Sequence, residues 1–231
     1  MYNISSSMIK ENILKVRQSI LEACQQTGRD PAQVSIVCVT KSRGIPKINE
    51  ALSSGLLNIG ENKVQEALLK YDALRPGRVE IAPITWHMIG HLQSNKAKEA
   101  VRIFNLIHSV DSLGLAKEID KQARRIAKVQ EILLEVKTSP EESKSGFSPT
   151  DIPAVNKELA LFSNIKVRGL MTIAPLIADG QNARPYFAAL RKLRDEVDPG
   201  WLLSMGMSDD FQAAILEGAD IIRLGRVIFE G

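Results

Sequence analysis

Cysteine is nearly absent: the 231 residues hold two, Cys24 and Cys38. Two thiols, neither in a CxxC pair, exclude a disulfide framework and a cysteine-rich metal site. Aromatic residues make up only 5% of the chain, which leaves no stacking platform for single-stranded nucleic acid. No apolar run approaches the roughly 20 residues that span a bilayer. Met1 to Lys10 lacks the apolar core of a secretory leader, so a cytoplasmic location is expected. No sign of charge dominates. Thirty basic against 27 acidic residues leave +3, too little and too evenly spread for a nucleic-acid or membrane surface. No His/Cys/Asp/Glu cluster has metal-ligand spacing, and neither GxGxxG nor GxSxG occurs.

What is present is an ordinary globular composition, 44% apolar and 25% charged. Ile9, Ile13, Val16, Ile20, Leu21 and Cys24 are spaced 4, 3, 4, 1 and 3 apart, an apolar stripe at the helical period. Gly28 and Asp30-Pro31 end that helix. Then strands and helices alternate. Val34 to Thr40, a short run rich in β-branched residues and flanked by turn signals, predicts a buried strand, and further strands are expected at 56–60, 85–90, 104–109, 131–137, 167–173, 202–205 and 220–224. Helices are expected at 46–54, 62–74 (stopped by Pro76-Gly77), 94–101, 112–128, 150–162, 181–197 and 208–217. Ser208 or Asp209 is the expected N-cap of the last. Strict alternation implies a parallel sheet. Eight such units over residues 1–231 fit a single α/β domain, a (β/α)8 TIM barrel with an extra N-terminal helix. A doubly wound open sheet would want a glycine fingerprint after the first strand, and Thr40-Lys41-Ser42-Arg43-Gly44 is not one. Cys24, on the apolar helix face, and Cys38, inside a strand, read as buried hydrophobes.

In such a barrel, chemistry sits at the C-terminal ends of the strands. The first strand delivers Lys41 there. Position alone favours a lysine snorkelling to solvent. Held in the mouth and partly desolvated, the same amine could form a Schiff base with a carbonyl. The seventh strand leads into Leu203-Ser-Met-Gly-Met-Ser208-Asp209, and the eighth into Arg223-Leu-Gly225-Arg226. These loops stand where barrels hold phosphate, with Ser204 offering a hydroxyl and Gly225 close backbone approach. Either loop alone is equally an ordinary βα turn. Asn62 and His91 follow the second and third strands; Asn62 is equally a helix N-cap. His87, in mid-strand, is expected either to point at a helix or to be satisfied in the core, and His108 likewise. Lysine and both loops in one mouth favour a phosphorylated carbonyl ligand.

Several blocks carry a family resemblance. They are Val39-Thr-Lys41, Gly60-Glu-Asn62-x-Val64-Gln65-Glu66, Trp86-His87-Met-Ile-Gly90-His-Leu-Gln93-Ser94-Asn95-Lys96, Glu142-Ser-Lys144-Ser-Gly146, Gly169-Leu-Met171-Thr-Ile173, Leu203-Ser-Met-Gly-Met-Ser208 and Arg223-x-Gly225. Together they resemble the pyridoxal phosphate homeostasis protein family, similar in fold to the barrel domain of bacterial alanine racemase. The resemblance implies pyridoxal 5′-phosphate as cofactor, with Lys41 forming the internal aldimine and Arg223 meeting the pyridine nitrogen. It implies Ser204, Gly225 and Arg226 at the phosphate with Met205 alongside, Asn62 near the ring, and Met171 and Ile89 flanking it. The chain departs from the pattern at Lys63 (tyrosine expected), at Lys137 (asparagine expected), at Arg226 (a small hydroxyl residue expected) and in its Phe229-Glu-Gly231 tail. The implied role is buffering or delivery of the cofactor, possible recipients being apo-enzymes that use it, by a monomer or weak dimer. The alternatives are an amino-acid racemase or related enzyme of the same fold, and a barrel aldolase using Lys41. The racemases take a second base from a C-terminal β domain of a partner subunit, and this sequence stops soon after the eighth strand, which favours the role without turnover.

Overall fold

Eight parallel strands close on themselves in chain order, each paired with the next and the first with the last. This computed structural model describes residues 7–74, 83–139, 145–175 and 180–230. The expected helix stop at Pro76-Gly77 and the Glu142 to Lys144 part of the motif lie outside the described residues. In chain order the elements are α1 (Met8–Thr27), β1 (Ser35–Val39), α2 (Ile45–Ser53), β2 (Asn58–Glu61), α3 (Val64–Ala73), β3 (Thr85–Met88), α4 (Ala97–Ile103), β4 (Leu106–Val110) and α5 (Leu113–Arg125). There follow β5 (Gln130–Glu135), α6 (Ile152–Leu159), β6 (Ile165–Met171), α7 (Arg184–Val197), β7 (Leu202–Ser204), α8 (Phe211–Leu216), β8 (Ile221–Leu224) and α9 (Arg226–Phe229). This is the expected (β/α)8 barrel with a leading helix.

Three local expectations need correction. β1 ends at Val39, so Lys41 lies in the turn beyond it rather than at the strand end. Helix α8 begins at Phe211 with Asp210 as N-cap, not Ser208 or Asp209. The Asp210 carboxylate accepts the Met207 amide at 2.5 Å, which holds the preceding loop in a turn that delays the helix. The short α9 was not expected. Four residues give no periodicity to read.

Most of the core lies between strands and helices, where Phe104, Phe187 and Phe229 are fully enclosed. Burying each such ring contributes about 2 kcal/mol. Along α1, Ile9, Ile13, Val16, Ile20 and Cys24 are buried, with only Leu21 of the stripe exposed. The helix packs across α8 and α9, and Asn12 Nδ2 donates to Ile228 O at 3.2 Å. Both cysteines are buried, and burial pushes the Cys38 thiol up to about 12. The second apolar region is the inside of the barrel, made by Val37, Val39, Ile89, Leu106, Leu133, Met171 and Ile221.

The sheet is interrupted at two places. Pairing of β4 with β5 slips between Ile107 and Val110, leaving an extra residue in β4 beside His108. Pairing of β5 with β6 slips between Ile132 and Leu133, where Val167 and Gly169 face consecutive partners. Gly169 has φ +155°, and a Cβ there would come within 2.0 Å of Leu202 O on β7. Gly169→Ala is therefore expected to break the β6–β7 edge and lower stability by more than about 1 kcal/mol. Urea unfolding followed by circular dichroism measures this; an unchanged midpoint would contradict it.

Candidate functional site

Arg223 is the one cationic side chain buried inside the barrel among the described residues, 4% exposed. It points inward because Ile221 and Arg223 alternate with outward Ile222 and Leu224 along β8. A lone guanidinium cannot stay charged there without partners. Nη1 donates to Ser204 Oγ at 2.7 Å and Nη2 to Thr172 O at 2.9 Å. Burial lowers its pKa to about 10, with Asp210 and Glu135 opposing the fall, so it remains protonated at neutral pH.

From Ser204 a chain of side chains crosses the barrel. Ser204 Oγ lies 2.9 Å from His108 Nδ1, His108 Nε2 2.9 Å from His87 Nδ1, and His87 Nε2 3.1 Å from Asn58 Oδ1. A guanidinium only donates, and this gives the chain its direction. Ser204 accepts from Arg223 and donates to His108 Nδ1. His108 Nε2–H then donates to His87 Nδ1, and His87 Nε2–H to Asn58 Oδ1. Every link is satisfied with both imidazoles neutral. Burial depresses His87 to about 4, and burial with His87 and Arg223 nearby holds His108 well below the usual imidazole value. The reading of both histidines as satisfied core residues holds; that they connect to Arg223 had no sequence signal.

At the mouth, Lys41 is exposed, so the expected desolvation of its side chain is not found. β1 pairs with β8 at Val37–Arg223 and Cys38–Leu224, so the Lys41 turn follows the end of β1 at the mouth, four residues on from the position level with Arg223. Asn62 follows β2 and lines a cavity of about 300 Å³ with Ile89, Gly90, His91, Glu135 and Lys137. A Cβ on Gly90 would fall 2.5 Å from Asn62 O, so only glycine lets the third strand end against that backbone. Burial raises the Glu135 carboxyl, with Asp111 adding to the effect. His91 is largely exposed and 3.2 Å from Asp111. Met171 and Ile89 belong to the inner apolar layer beneath this mouth. A larger cavity, about 440 Å³, opens at the opposite end beside Arg17, Ile36 and Asn58 and contains none of the expected site residues.

The two candidate phosphate loops lie together, but not every expected side chain faces between them. Ser204 is fully buried on Arg223 and His108, one level below the loops. Met205 is also fully buried, in the outer core, because it is the residue that alternates outward after Ser204. Arg226 is exposed and its guanidinium engages Asp209 across the loops. The hydroxyl in this region is Ser208, whose Oγ accepts the Val227 amide at 3.4 Å. Gly225 packs against Val39, a Cβ there lying 3.3 Å from the valine Cβ. The sequence marked Ser208 only as an N-cap candidate and not as a phosphate ligand, although it closes the Ser-Met-Gly-Met-Ser block.

A barrel with an amine in the turn after the first strand, a buried arginine on the eighth and glycine loops beside them defines a class of protein. The sequence profile of the family described as alanine racemase, N-terminal domain, matches residues 4–231. The pyridoxal phosphate homeostasis protein of Pseudomonas aeruginosa is 41% identical over 226 residues, 96% of this chain and 95% of that one. Its namesake in Aquifex aeolicus is 40% identical over 224 residues, covering 95% and 96%. The solved structure of PipY from Synechococcus elongatus with PLP bound is 35% identical, covers 96% of this chain and 99% of its own, and superposes with a TM-score of 0.80. A Clostridium difficile alanine racemase shares the fold at 13% identity and a TM-score of 0.66; the match covers 92% of this chain and 58% of the racemase. The chain belongs to the pyridoxal phosphate homeostasis protein family, built on the alanine racemase N-terminal barrel.

The neutral histidines carry a pH prediction. Unfolded, each ring protonates below about 6.5; folded, His87 does so only near 4. The unfolded state thus binds more protons in this window, so stability falls as pH drops from 6.5 towards 4, by about 3 kcal/mol from His87 alone. Urea midpoints between pH 7 and 4 should show a steeper fall for the wild type than for a His87→Gln/His108→Gln variant. Parallel profiles would contradict the neutral pair.

Proposed function

We propose that the chain binds pyridoxal 5′-phosphate, attached through its aldehyde to Lys41, and serves to buffer or deliver it rather than to turn over a substrate. The carrying observation is the pairing of β1 with β8, which sets Arg223 level with Val37 inside the barrel and leads β1 on to the Lys41 turn at the mouth above it. The donor set fits the cofactor. Two of the five guanidinium N–H groups are committed to Ser204 and Thr172, which leaves donors for a pyridine nitrogen. A permanently protonated arginine at that nitrogen keeps it unprotonated. The loops at 206–208 and 225–226 offer backbone amides, the Ser208 hydroxyl and Arg226 for phosphate, while Asn62 borders the ring side. Ser204 acts from below by orienting Arg223, Met205 through the wall behind the loop, and Met171 as floor.

When bound, the cofactor supplies an aldehyde that condenses with primary amines and a ring that withdraws electrons. An unprotonated ring withdraws them weakly. Support for the role comes from relatives of matching length named for homeostasis. The unit of binding is one domain over residues 1–231, working in the cytoplasm as a monomer or weak dimer, with apo-enzymes that need the cofactor as recipients. Among the described residues no helix is long and apolar enough to cross a membrane.

Protein incubated with pyridoxal 5′-phosphate and desalted should retain near-visible absorbance, and Lys41→Ala should lose it. Absorbance equal in both would sink the assignment of Lys41. The loaded protein, incubated with single-enantiomer amino acids and read by chiral chromatography, should leave them unchanged. Sustained racemisation would overturn the carrier role.

A further inference from the structure

Lys41 is exposed, and what fixes its backbone lies on the outer wall of the barrel. There Lys70 of α3, 6% exposed, donates at 2.6 Å to each of Thr40 O, Glu61 Oε1 and Glu66 Oε1. An ammonium has three protons, and these bonds use them all. Thr40 Oγ1 also donates to Glu61. Glu66 Oε1 accepts a second bond, from the Ser42 amide, at 2.6 Å. The peptide groups on either side of Lys41 are thus both tied to α3 by one largely buried ion cluster. Ser42 needs such a tie. Its φ is +59°, a left-handed conformation that costs a non-glycine residue free energy.

Simple support of the wall does not account for this arrangement. Buried ion pairs add little stability over apolar side chains of similar size, and an apolar pair would hold α3 to the strands equally well. An apolar pair could not hold the Thr40 carbonyl and the Ser42 amide at once. We propose that Glu66 and Lys70 are positioning residues that set where Lys41 presents its amine. This rests on the reading of Lys41 as the attachment residue. In attachment the amine nitrogen bonds to the aldehyde carbon, its two protons leave with the aldehyde oxygen as water, and a C=N bond remains. An amine displaced from the aldehyde reacts less favourably, while contacts to the ring and phosphate are untouched.

Glu66 is the residue to change, since its side chain is 28% exposed and its loss leaves Lys70 paired with Glu61. The test compares two ligands by calorimetric titration, pyridoxal 5′-phosphate and pyridoxine 5′-phosphate. The second carries an alcohol in place of the aldehyde and cannot bond to Lys41. Glu66→Ala should weaken pyridoxal 5′-phosphate binding about tenfold or more. Pyridoxine 5′-phosphate affinity should not change. Glu66→Gln, which keeps an acceptor for the Ser42 amide, should recover most of the loss. Equal weakening for both ligands would reduce Glu66 to structural support and overturn the proposal, as would no weakening for either. A wild-type protein that binds both ligands alike, without near-visible absorbance, would instead overturn the reading of Lys41 and the proposal with it.

Discussion

A guanidinium inside the barrel is the constraint on which the interior depends. Burying a charge of this size costs several kcal/mol unless its donors are met. Arg223 meets the requirement with the Thr172 carbonyl and the Ser204 hydroxyl, and because it only donates, it dictates where every proton of the adjoining chain lies. His108 and His87 are consequently neutral, each with one defined tautomer, ending at Asn58 near the other end of the barrel. The bulge in β4 beside His108 and the inward alternation of β7 and β8 serve this one network. A hydrophobic barrel core would have been cheaper to build. The polar one presents a fixed cation to whatever lies in the mouth.

Two networks meet at β1 from opposite sides of the wall. Inside, Arg223 sits level with Val37. Outside, Lys70 and its two glutamates grip the turn that carries Lys41. Val37, Cys38 and Val39 of the strand between them are buried. In the proposed function the first network governs the ring and the second governs the amine.

Much of the fold was legible because a βα barrel writes itself as repeated alternation. The β-branched run Ile36–Val39, bounded by turn residues, reads as a buried strand, and the absence of a glycine fingerprint after Thr40 argued against an open sheet. Lys41, Asn62, Arg223 and Gly225 are found at the mouth or just beneath it because residues at strand ends have little freedom of position. Ser204 and Met205 were harder. In a strand of three residues the inward and outward faces cannot be told apart by pattern, and a hydroxyl beside glycines reads as a phosphate ligand whether it lies above or below. The grip of Lys70 and Glu66 on the Lys41 turn was invisible for another reason. Both look like ordinary charges at helical spacing, and their partners come from the end of β2 and from the segment just after β1. The N-cap at Asp210 depended on a loop bond to Met207 that composition does not encode.

The most direct test of the central claim is a crystal structure of the protein grown with pyridoxal 5′-phosphate. The account predicts continuous density from Lys41 Nζ to the ligand, the ring nitrogen within hydrogen-bond distance of Arg223, and the phosphate between the loops at 206–208 and 225–226. Attachment to another amine such as Lys137, or a ring turned away from Arg223, would contradict it.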